Sequence, residues 1–451
     1  MPVKVRIAPS PTGNLHFGNA RTALFNWLFA KKHGGQLILR IEDTDLERSD
    51  KKYEESIINS LRWLGIQWDG EIVRQSQRLT VYTQYLKELL ASGKAFWCHH
   101  TVKELDAEKK GQMERKEAPR HLCDHKNSEK GKETGEIIRL VVDQTEEKKL
   151  SFDDAIRGTI EFNQRVISDV SLAKDLQTPL YNFAVVIDDI DMAITHVIRG
   201  EDHISNTPKQ MLIYQALGKT PPIFAHLPLI LGSDKSKLSK RHGALDIMDY
   251  AKDYLPEALV NFMGFLGHTY SKDILSKEEM AKEFELAKVH KSGAIFNIQK
   301  LNWINAQYVR QLAPSDFEKL IGHNVLKAAI PLMTERLEKL TDMDAFHYFW
   351  EAPSYEAELL IWKSSSREDV KKSLEASHAL LEKLELNNKD ELRKELDKLS
   401  AGQAGNRGLV YWPLRVALTG EKMSPDPVDI ISALDKEEVL SRVRSAINKL
   451  S

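Results

Sequence analysis

Val3, Val5 and Ile7 alternate with Lys4 and Arg6, which predicts a half-buried strand at the start of the chain. Pro9, Pro11 and Gly13 then stop the strand and force a turn. Ala20, Ala23, Leu24, Trp27 and Leu28 follow at helical spacing, and Lys32 to Gly35 reads as a basic last turn with a glycine stop. Gln36 to Ile41 is a second strand. Tyr53, Ile57, Ile58, Leu61 and Leu64 mark an amphipathic helix, and Val81 to Leu90 another, stopped near Gly93. Ile137 to Val142 and Leu150 to Phe162 read as strands, with a hairpin turn at Gly158. Further strands are predicted over Ile194 to Ile198 and Ile223 to Leu231, with Thr207-Pro208 opening the helix between them. From Leu255 onward the pattern is mostly helical, interrupted by a loop over Gly402 to Gly408. The stripe of Val439, Leu440, Val443, Ala446, Ile447 and Leu450 reads as core.

This alternation of strands and helices predicts an α/β first half and a helical second half. A length of 451 residues allows two to four domains. With 42% hydrophobic and 29% charged residues the composition excludes wholesale disorder. Net charge is −2, so no global basic signal points to nucleic acid. Residues 310–451 carry 21 Lys and Arg against 24 Asp and Glu, so RNA recognition there would need particular exposed side chains. Two cysteines, Cys98 and Cys123, argue against a secreted disulfide framework and for a reduced compartment or a metal site. The N-terminus lacks an apolar signal core, and no stretch reaches the roughly 18 consecutive apolar residues of a membrane span.

Several segments carry candidate chemistry. The first strand, its tight loop and the following helix start place free N–H groups and a helix dipole where a phosphate binds well. Gly18 permits close approach to the backbone, and His16 adds a donor. Glu42, Asp43 and Asp45 end the second strand, where α/β sheets bind ligands; the plainer reading of the two aspartates is a cap for the next helix. Arg199 follows a strand end, and with Arg6 it puts two fixed cations at one edge, as a site for a dicarboxylic amino acid requires. Lys235, Lys237, Lys240 and Arg241 crowd one short loop, a cationic clamp able to follow charge onto a leaving pyrophosphate. Neither a P-loop nor a Gly-x-Gly-x2-Gly turn occurs, which excludes those nucleotide-binding classes. Phe96 to Glu136 begins Phe-Trp-Cys98-His99-His100, crosses a charged stretch over Lys103 to Arg120 that reads as a solvated helix or a knuckle arm, and carries His121-Leu-Cys123-Asp-His125 beyond it. Two Cys-x-His pairs suit tetrahedral zinc; two buried thiols beside incidental histidines are the alternative.

The run Arg-Ile-Ala-Pro-Ser-Pro-Thr-Gly-Asn-Leu-His-Phe-Gly-Asn-Ala-Arg, residues 6–21, resembles the HIGH motif of class I aminoacyl-tRNA synthetases, and its Ala-Pro-Ser-Pro-Thr-Gly resembles the glutamyl branch. Asn19 stands where that motif ends in histidine. Lys237-Leu-Ser-Lys-Arg241 resembles the KMSKS motif, in the family's order. Leu255 to His268, Asn297 to Tyr308 and Gly408 to Gly420 resemble later segments of bacterial glutamyl-tRNA synthetases, so the resemblance covers essentially the full length. It implies a Rossmann-like parallel-sheet catalytic domain with an inserted arm, then an all-α anticodon-binding domain. The implied divisions are catalytic halves at 1–95 and, with the insertion's remainder, 137–250; a zinc-binding insertion at 96–136; a stem-contact region at 251–309; and the anticodon-binding domain at 310–451.

The resemblance further implies a cytoplasmic, monomeric glutamate–tRNA ligase. The α-carboxylate of glutamate would attack the α-phosphate of ATP, accompanied by Mg2+, and a ribose hydroxyl of the terminal adenosine of tRNA(Glu) would take the glutamyl group. His16, Lys237 and Lys240 match the catalytic positions. Arg6, Ala8, Ser10, Glu42, Tyr181 and Arg199 match the glutamate pocket. Gly18, Asn19, Leu238, Ser239 and Arg241 join His16 and the two lysines around ATP. For zinc the matching set is Cys98, His100, Cys123 and His125, with the choice between His99 and His100 open and a histidine where the family more usually has cysteine. Whether tRNA(Gln) is charged too depends on anticodon contacts that the motifs do not locate. Glutaminyl-tRNA synthetase usually reads Pro-Glu-Pro-Asn-Gly at the first motif, and the truncated relative that glutamylates a modified tRNA base lacks a helical C-terminal domain. Intact His16, Gly18, Lys237 and Lys240 argue against a catalytically silent RNA-binding paralogue.

Overall fold

The structure is a computed structural model that describes residues 2–45, 47–117, 119–143, 149–164, 167–238, 246–403 and 406–451. The chain divides into two units, one of residues 1–251 and 256–301, the other of residues 252–255 and 302–451.

In the first unit, β1 (Lys4–Ile7) leads into α1 (Phe17–Lys32) and β2 (Gln36–Ile41), then α2 (Lys51–Trp63), β3 (Val73–Arg74) and α3 (Leu79–Ala91). An insertion follows, with β4 (Ala95–Cys98), α4 (Val102–Glu114), β5 (Ile137–Leu140), β6 (Lys149–Asp154), β7 (Gly158–Asn163) and β8 (Ser171–Ala173). Next come α5 (Tyr181–Asp191), β9 (His196–Gly200), α6 (Thr207–Ala216), β10 (Ile223–Leu227) and β11 (Ile230–Leu231). The unit ends with α7 (Ile247–Tyr250), α8 (Pro256–Phe265), α9 (Lys277–Glu283) and β12 (Ala294–Ile295).

Strand β1 pairs in parallel with β2, and β2 with β3. Strand β10 pairs in parallel with β9. The two groups meet at one end, where the Thr195 N–H donates to the Lys4 carbonyl at 2.9 Å and the Lys4 N–H to Thr195 Oγ1 at 2.9 Å. Beyond that point β1 and β9 share no ladder bond among the described residues, so their C-terminal ends open a crevice. An α/β sheet binds its ligand at such a switch point. Helix α1 is buried on nearly every face, beyond the single stripe its sequence predicts, because β1 and β9 cover one side and α8 and α9 the other. Phe17 meets Phe262 edge-on at 6.1 Å, and Phe25 meets Phe284 at 5.0 Å.

The predicted hairpin forms between β6 and β7, with Gly158 at φ +79°. Strand β6 also lies beside β10, which ties the insertion to the central sheet. The expected strand over Ile223 to Leu231 is two: it breaks before Pro228, which has no N–H to give a ladder, and β11 pairs with β12 instead. Helix α4 has no buried residue, as its charged sequence predicts. Neither Asp43 nor Asp45 caps α2; that role falls to Asp50, which accepts the Lys52 N–H at 2.9 Å. Asp43 instead accepts the Ser76 N–H and hydroxyl.

The division between units falls within α10 (Ile298–Arg310). The second unit continues with α11 (Pro314–Ile321), α12 (Ala329–Thr334), α13 (Arg367–Leu381), α14 (Lys389–Gly402), α15 (Arg407–Thr419), α16 (Pro427–Ile431) and α17 (Lys436–Lys449). Its core joins α13 (Val370, Leu374, Leu381), α14 (Leu392, Leu396), α15 (Val410, Leu414, Leu418) and α17 (Val439, Val443, Ala446), with Leu440 and Ile447 packed at its edge. The expected loop over 402–408 is shorter than the sequence suggests, since α14 runs to Gly402 and α15 starts at Arg407. Among the described residues no helix is long and apolar enough to cross a membrane.

Candidate active site

A cavity of about 650 Å³ fills the crevice between the ends of β1 and β9. From β1 and its loop come Arg6, Ala8, Ser10 and His16; from the first turn of α1, Gly18 and Asn19. Glu42 enters from the end of β2, Tyr181 from the start of α5, and Arg199 from β9. Lys237 and Leu238 line the cavity as well. Eleven residues singled out in the sequence thus share one wall system, although they span positions 6 to 238. Ser239, Lys240 and Arg241 lie outside the described residues.

His16 is the N-cap of α1 and makes no side-chain capping bond, so the first-turn N–H groups receive no acceptor from it. A Cβ on Gly18 would meet no protein atom within 4 Å, consistent with a surface left open for a ligand. The segment after the lysine-rich loop returns to this point: Asp246 lies 3.1 Å from His16 Nδ1 and accepts from Asn14 Nδ2 at 2.8 Å. Lys237 Nζ lies 3.4 Å from Asp202, another cavity residue.

Behind the cavity sits a buried ionic network that the sequence analysis did not identify. Arg40 Nη1 donates to Asp189 Oδ1 at 2.7 Å, Arg40 Nη2 donates to Glu42 Oε1 at 3.2 Å, and Arg40 Nε is 3.7 Å from Asp188. Arg6 Nε donates to the same Asp189 oxygen at 3.2 Å. Burial alone would push the Asp189 carboxyl up, but Arg6 and Arg40 more than offset it and hold it below the usual carboxylate range. Glu42 goes the other way: burial raises it, and Arg40 and Arg6 only partly compensate. The available signal was two adjacent acids closing the apolar run Phe183-Ala-Val-Val-Ile187.

Arg199 is differently placed. It is 5% exposed, and its Nη2 donates to Thr207 Oγ1 and Gln210 Oε1, both at 2.8 Å. Its Nε donates to His226 Nε2 at 3.2 Å. Nη1 is buried without a hydrogen-bond partner, and among the described residues no carboxylate pairs with this guanidinium. Burial accordingly lowers its pKa. Tyr181 Oη lies 3.1 Å from His203 Nδ1, and His203, another cavity residue without an expected role, is pushed down to about 4 by burial and by Arg199.

In the insertion, Cys98 and Cys123 are buried and two overlapping ligand groups form, Cys98 with His100, His121 and Cys123, and His100 with Cys123, Asp124 and His125. His100 Nδ1 is 3.5 Å from Cys98 Sγ and 3.6 Å from Cys123 Sγ. His99 is turned away, with Nε2 at 2.7 Å from the Lys130 carbonyl. The expected set of Cys98, His100, Cys123 and His125 is therefore not one group. His121 completes the set with both thiols: its Nε2 is 3.6 Å from Cys98 Sγ, while its Nδ1 sits 2.6 Å from Glu108. His125 Nδ1 lies 3.4 Å from Cys123 Sγ, in the second group, and also accepts the His99 N–H at 3.2 Å.

Residues 2–303 match the family model for the catalytic domain of class I tRNA synthetases (E and Q), and residues 302–447 match an anticodon binding domain. The chain is 41% identical to the glutamate–tRNA ligase of Desulforamulus reducens over 491 residues, covering 99% of this chain and 100% of the relative. Its identity to the glutamate–tRNA ligase of Aquifex aeolicus is also 41%, over 480 residues, with 100% and 99% covered. The crystal structure of a glutamate tRNA ligase from Elizabethkingia meningosepticum, in complex with its amino acid, is similar with a TM-score of 0.87 and 32% identity, covering 100% of both chains. A parallel-sheet catalytic unit with its helix start and Lys237 on one cavity, followed by a helical anticodon-type unit, makes this chain a member of the class I tRNA synthetases of the E and Q group.

Proposed function

We propose that the protein activates L-glutamate with ATP and transfers it to the terminal adenosine of tRNA(Glu). The observation that carries the substrate is Arg199, a buried cation that lines the cavity also holding a helix start and Lys237 and that has one guanidinium nitrogen without a hydrogen-bond partner. A buried charge is costly without a counter-charge, and a substrate carboxylate supplies one. Arg6 adds a second cation. Glu42 accepts the substrate ammonium, Tyr181 aligns the chain of the amino acid, and Ala8 and Ser10 form the wall beside it.

The α-carboxylate attacks the α-phosphate of ATP, and pyrophosphate leaves. A ribose hydroxyl of tRNA then attacks the glutamyl carbonyl, and AMP leaves. No protein nucleophile is needed, so positioning and charge stabilisation carry the rate. The first-turn N–H groups of α1, with His16, Gly18 and Asn19, take the phosphates; Lys237 meets the developing charge, with Leu238 beside the nucleotide. Lys240, with Ser239 and Arg241, is assigned its role from the motif alone. Mg2+ enters with ATP. Residues 251–309 are assigned to the tRNA stem and 310–451 to the anticodon, and the protein is proposed to act as a cytoplasmic monomer. ATP–pyrophosphate exchange driven by glutamate but not glutamine, measured with and without tRNA, tests activation. Parallel aminoacylation of tRNA(Glu) and tRNA(Gln) tests transfer and its range. Exchange with glutamine alone would overturn the reading.

The insertion at 96–136 fits a structural zinc. Two thiolates and two imidazoles satisfy a tetrahedral site and leave no position for substrate. Cys98, His100, His121 and Cys123 would hold the ion, with Glu108 orienting His121 as a carboxylate orients a ligating histidine. Metal analysis is expected to find about one zinc per chain. His121→Ala should lose it and His125→Ala retain it; the reverse pattern would move the site to the second group.

A further inference from the structure

His226 lies wholly buried in β10, inside an otherwise apolar strand, and does not line the cavity. Its two ring nitrogens have different partners. Nδ1 is 2.6 Å from Asp154 Oδ2, at the end of β6 in the insertion. Nε2 faces Arg199 Nε at 3.2 Å and Thr207 Oγ1 at 3.1 Å. A guanidinium only donates, so Nε2 must be the accepting nitrogen and Nδ1 the protonated one. Asp154 is itself fixed by the N–H groups of Ile156, Arg157 and His226. Burial lowers the pKa of His226 despite the adjacent carboxylate, which agrees with a neutral ring.

We propose that His226 is a positioning residue: Asp154 holds it in the Nδ1–H tautomer, and its Nε2 accepts the Nε–H of Arg199 and so aims Arg199 Nη1 at the substrate carboxylate. This rests on the reading of Arg199 as a carboxylate ligand. Arg199 is then held by three acceptors, His226 at Nε and Thr207 and Gln210 at Nη2, with Nη1 the one nitrogen left without a partner. Such preorganisation lets the carboxylate bind without the guanidinium reorienting. It also places an insertion residue, Asp154, two side chains away from the substrate.

Two substitutions separate the halves of the arrangement. His226→Gln keeps an acceptor where Nε2 stands, while His226→Asn keeps a donor toward Asp154 and loses that acceptor. In ATP–pyrophosphate exchange with tRNA present, His226→Asn is expected to raise the glutamate KM about tenfold or more, the scale of one hydrogen bond to a charged group. Its kcat and ATP KM should stay within about threefold, since uniform binding is what is lost. His226→Gln should leave the glutamate KM within about threefold of the parent. Equal changes in both variants, or an ATP KM that moves with the glutamate KM, would overturn the proposal. The parent protein gives a readout that needs no variant to be active: nitrogen NMR of labelled histidine at neutral pH should show His226 with a protonated Nδ1 and a pyridine-like Nε2, and the opposite tautomer would refute the relay. If Arg199→Ala itself leaves the glutamate KM unchanged, the reading of Arg199 has failed. If it raises that KM while His226→Asn does not, the relay alone has failed.

Discussion

Arg199→Ala is expected to lower kcat/KM for glutamate by roughly 30- to 5,000-fold, equivalent to about 2–5 kcal/mol for truncating one member of a buried charged hydrogen-bond pair. The loss should fall on the amino acid and spare ATP, whose KM is expected to stay within about threefold. The same substitution should leave thermal stability nearly unchanged. Arg199 has no carboxylate partner in the described structure, and burial lowers its pKa, so its charge is a cost to the folded state rather than a support. What alanine removes offsets that gain: the hydrogen bonds to His226, Thr207 and Gln210, and the packing of the guanidinium over the Phe224 ring at 5.5 Å. An active site that stores an uncompensated charge for its ligand trades stability for binding. Exchange kinetics and a melting curve on the same sample check both halves. A large fall in melting temperature with an unchanged glutamate KM would mean that Arg199 is structural.

The local features of this fold were legible because they are local. The run from Arg6 to Arg21 and the lysine loop each carry their chemistry in consecutive residues, and the strand, turn and helix start of the first follow from Pro9, Pro11, Gly13 and the apolar spacing. What joins them is not local. Asp189 meets Arg6 and Arg40 across 183 and 149 residues, and Asp154 meets His226 across 72. Nothing in periodicity predicts such pairs; the signal was an acid or a histidine inside an apolar run, as at Asp188-Asp189 and His226. The proposed zinc ligands show the same boundary. Cys98 and Cys123 stand out in the sequence, but it leaves His99 and His100 both open, and His121 and His125 are each two residues from Cys123, on opposite sides. Glu108 favours His121, and it belongs to a helix whose sequence reads only as solvated.

Arg40→Met should be the most destabilising single change in the catalytic unit. The side chain is fully buried and bridges Asp189, Glu42 and Asp188. Burial pushes its guanidinium down, yet those three carboxylates more than reverse the effect. Asp188 would keep Arg78, Gln75 and Tyr82, and Asp189 would keep Arg6, but Glu42 would have no ion-pair partner among the described residues. Removing one partner of a buried network costs about 3–5 kcal/mol, against a usual total of about 5–15. The melting temperature of the catalytic unit should fall by on the order of 10 °C.

The pH dependence identifies the cause. In the parent, Asp189 titrates below its unfolded value, so its stabilisation is present above about pH 4 and is lost as pH falls through the folded pKa. Glu42, which burial already raises in the parent, loses in Arg40 its largest compensating charge and titrates still further above its unfolded value in the variant. Its contribution is then greatest in acid and is lost as pH rises through the folded pKa. The gap in melting temperature between parent and variant should therefore be widest near neutral pH and narrow toward pH 4–5. A gap independent of pH would mean that lost packing, not stranded charge, accounts for it. Glu42→Gln placed in the Arg40→Met background sharpens the test, because it removes the carboxylate left without a partner while keeping its volume. Partial recovery of the melting temperature at neutral pH, with none in acid, is the outcome that stranded charge requires.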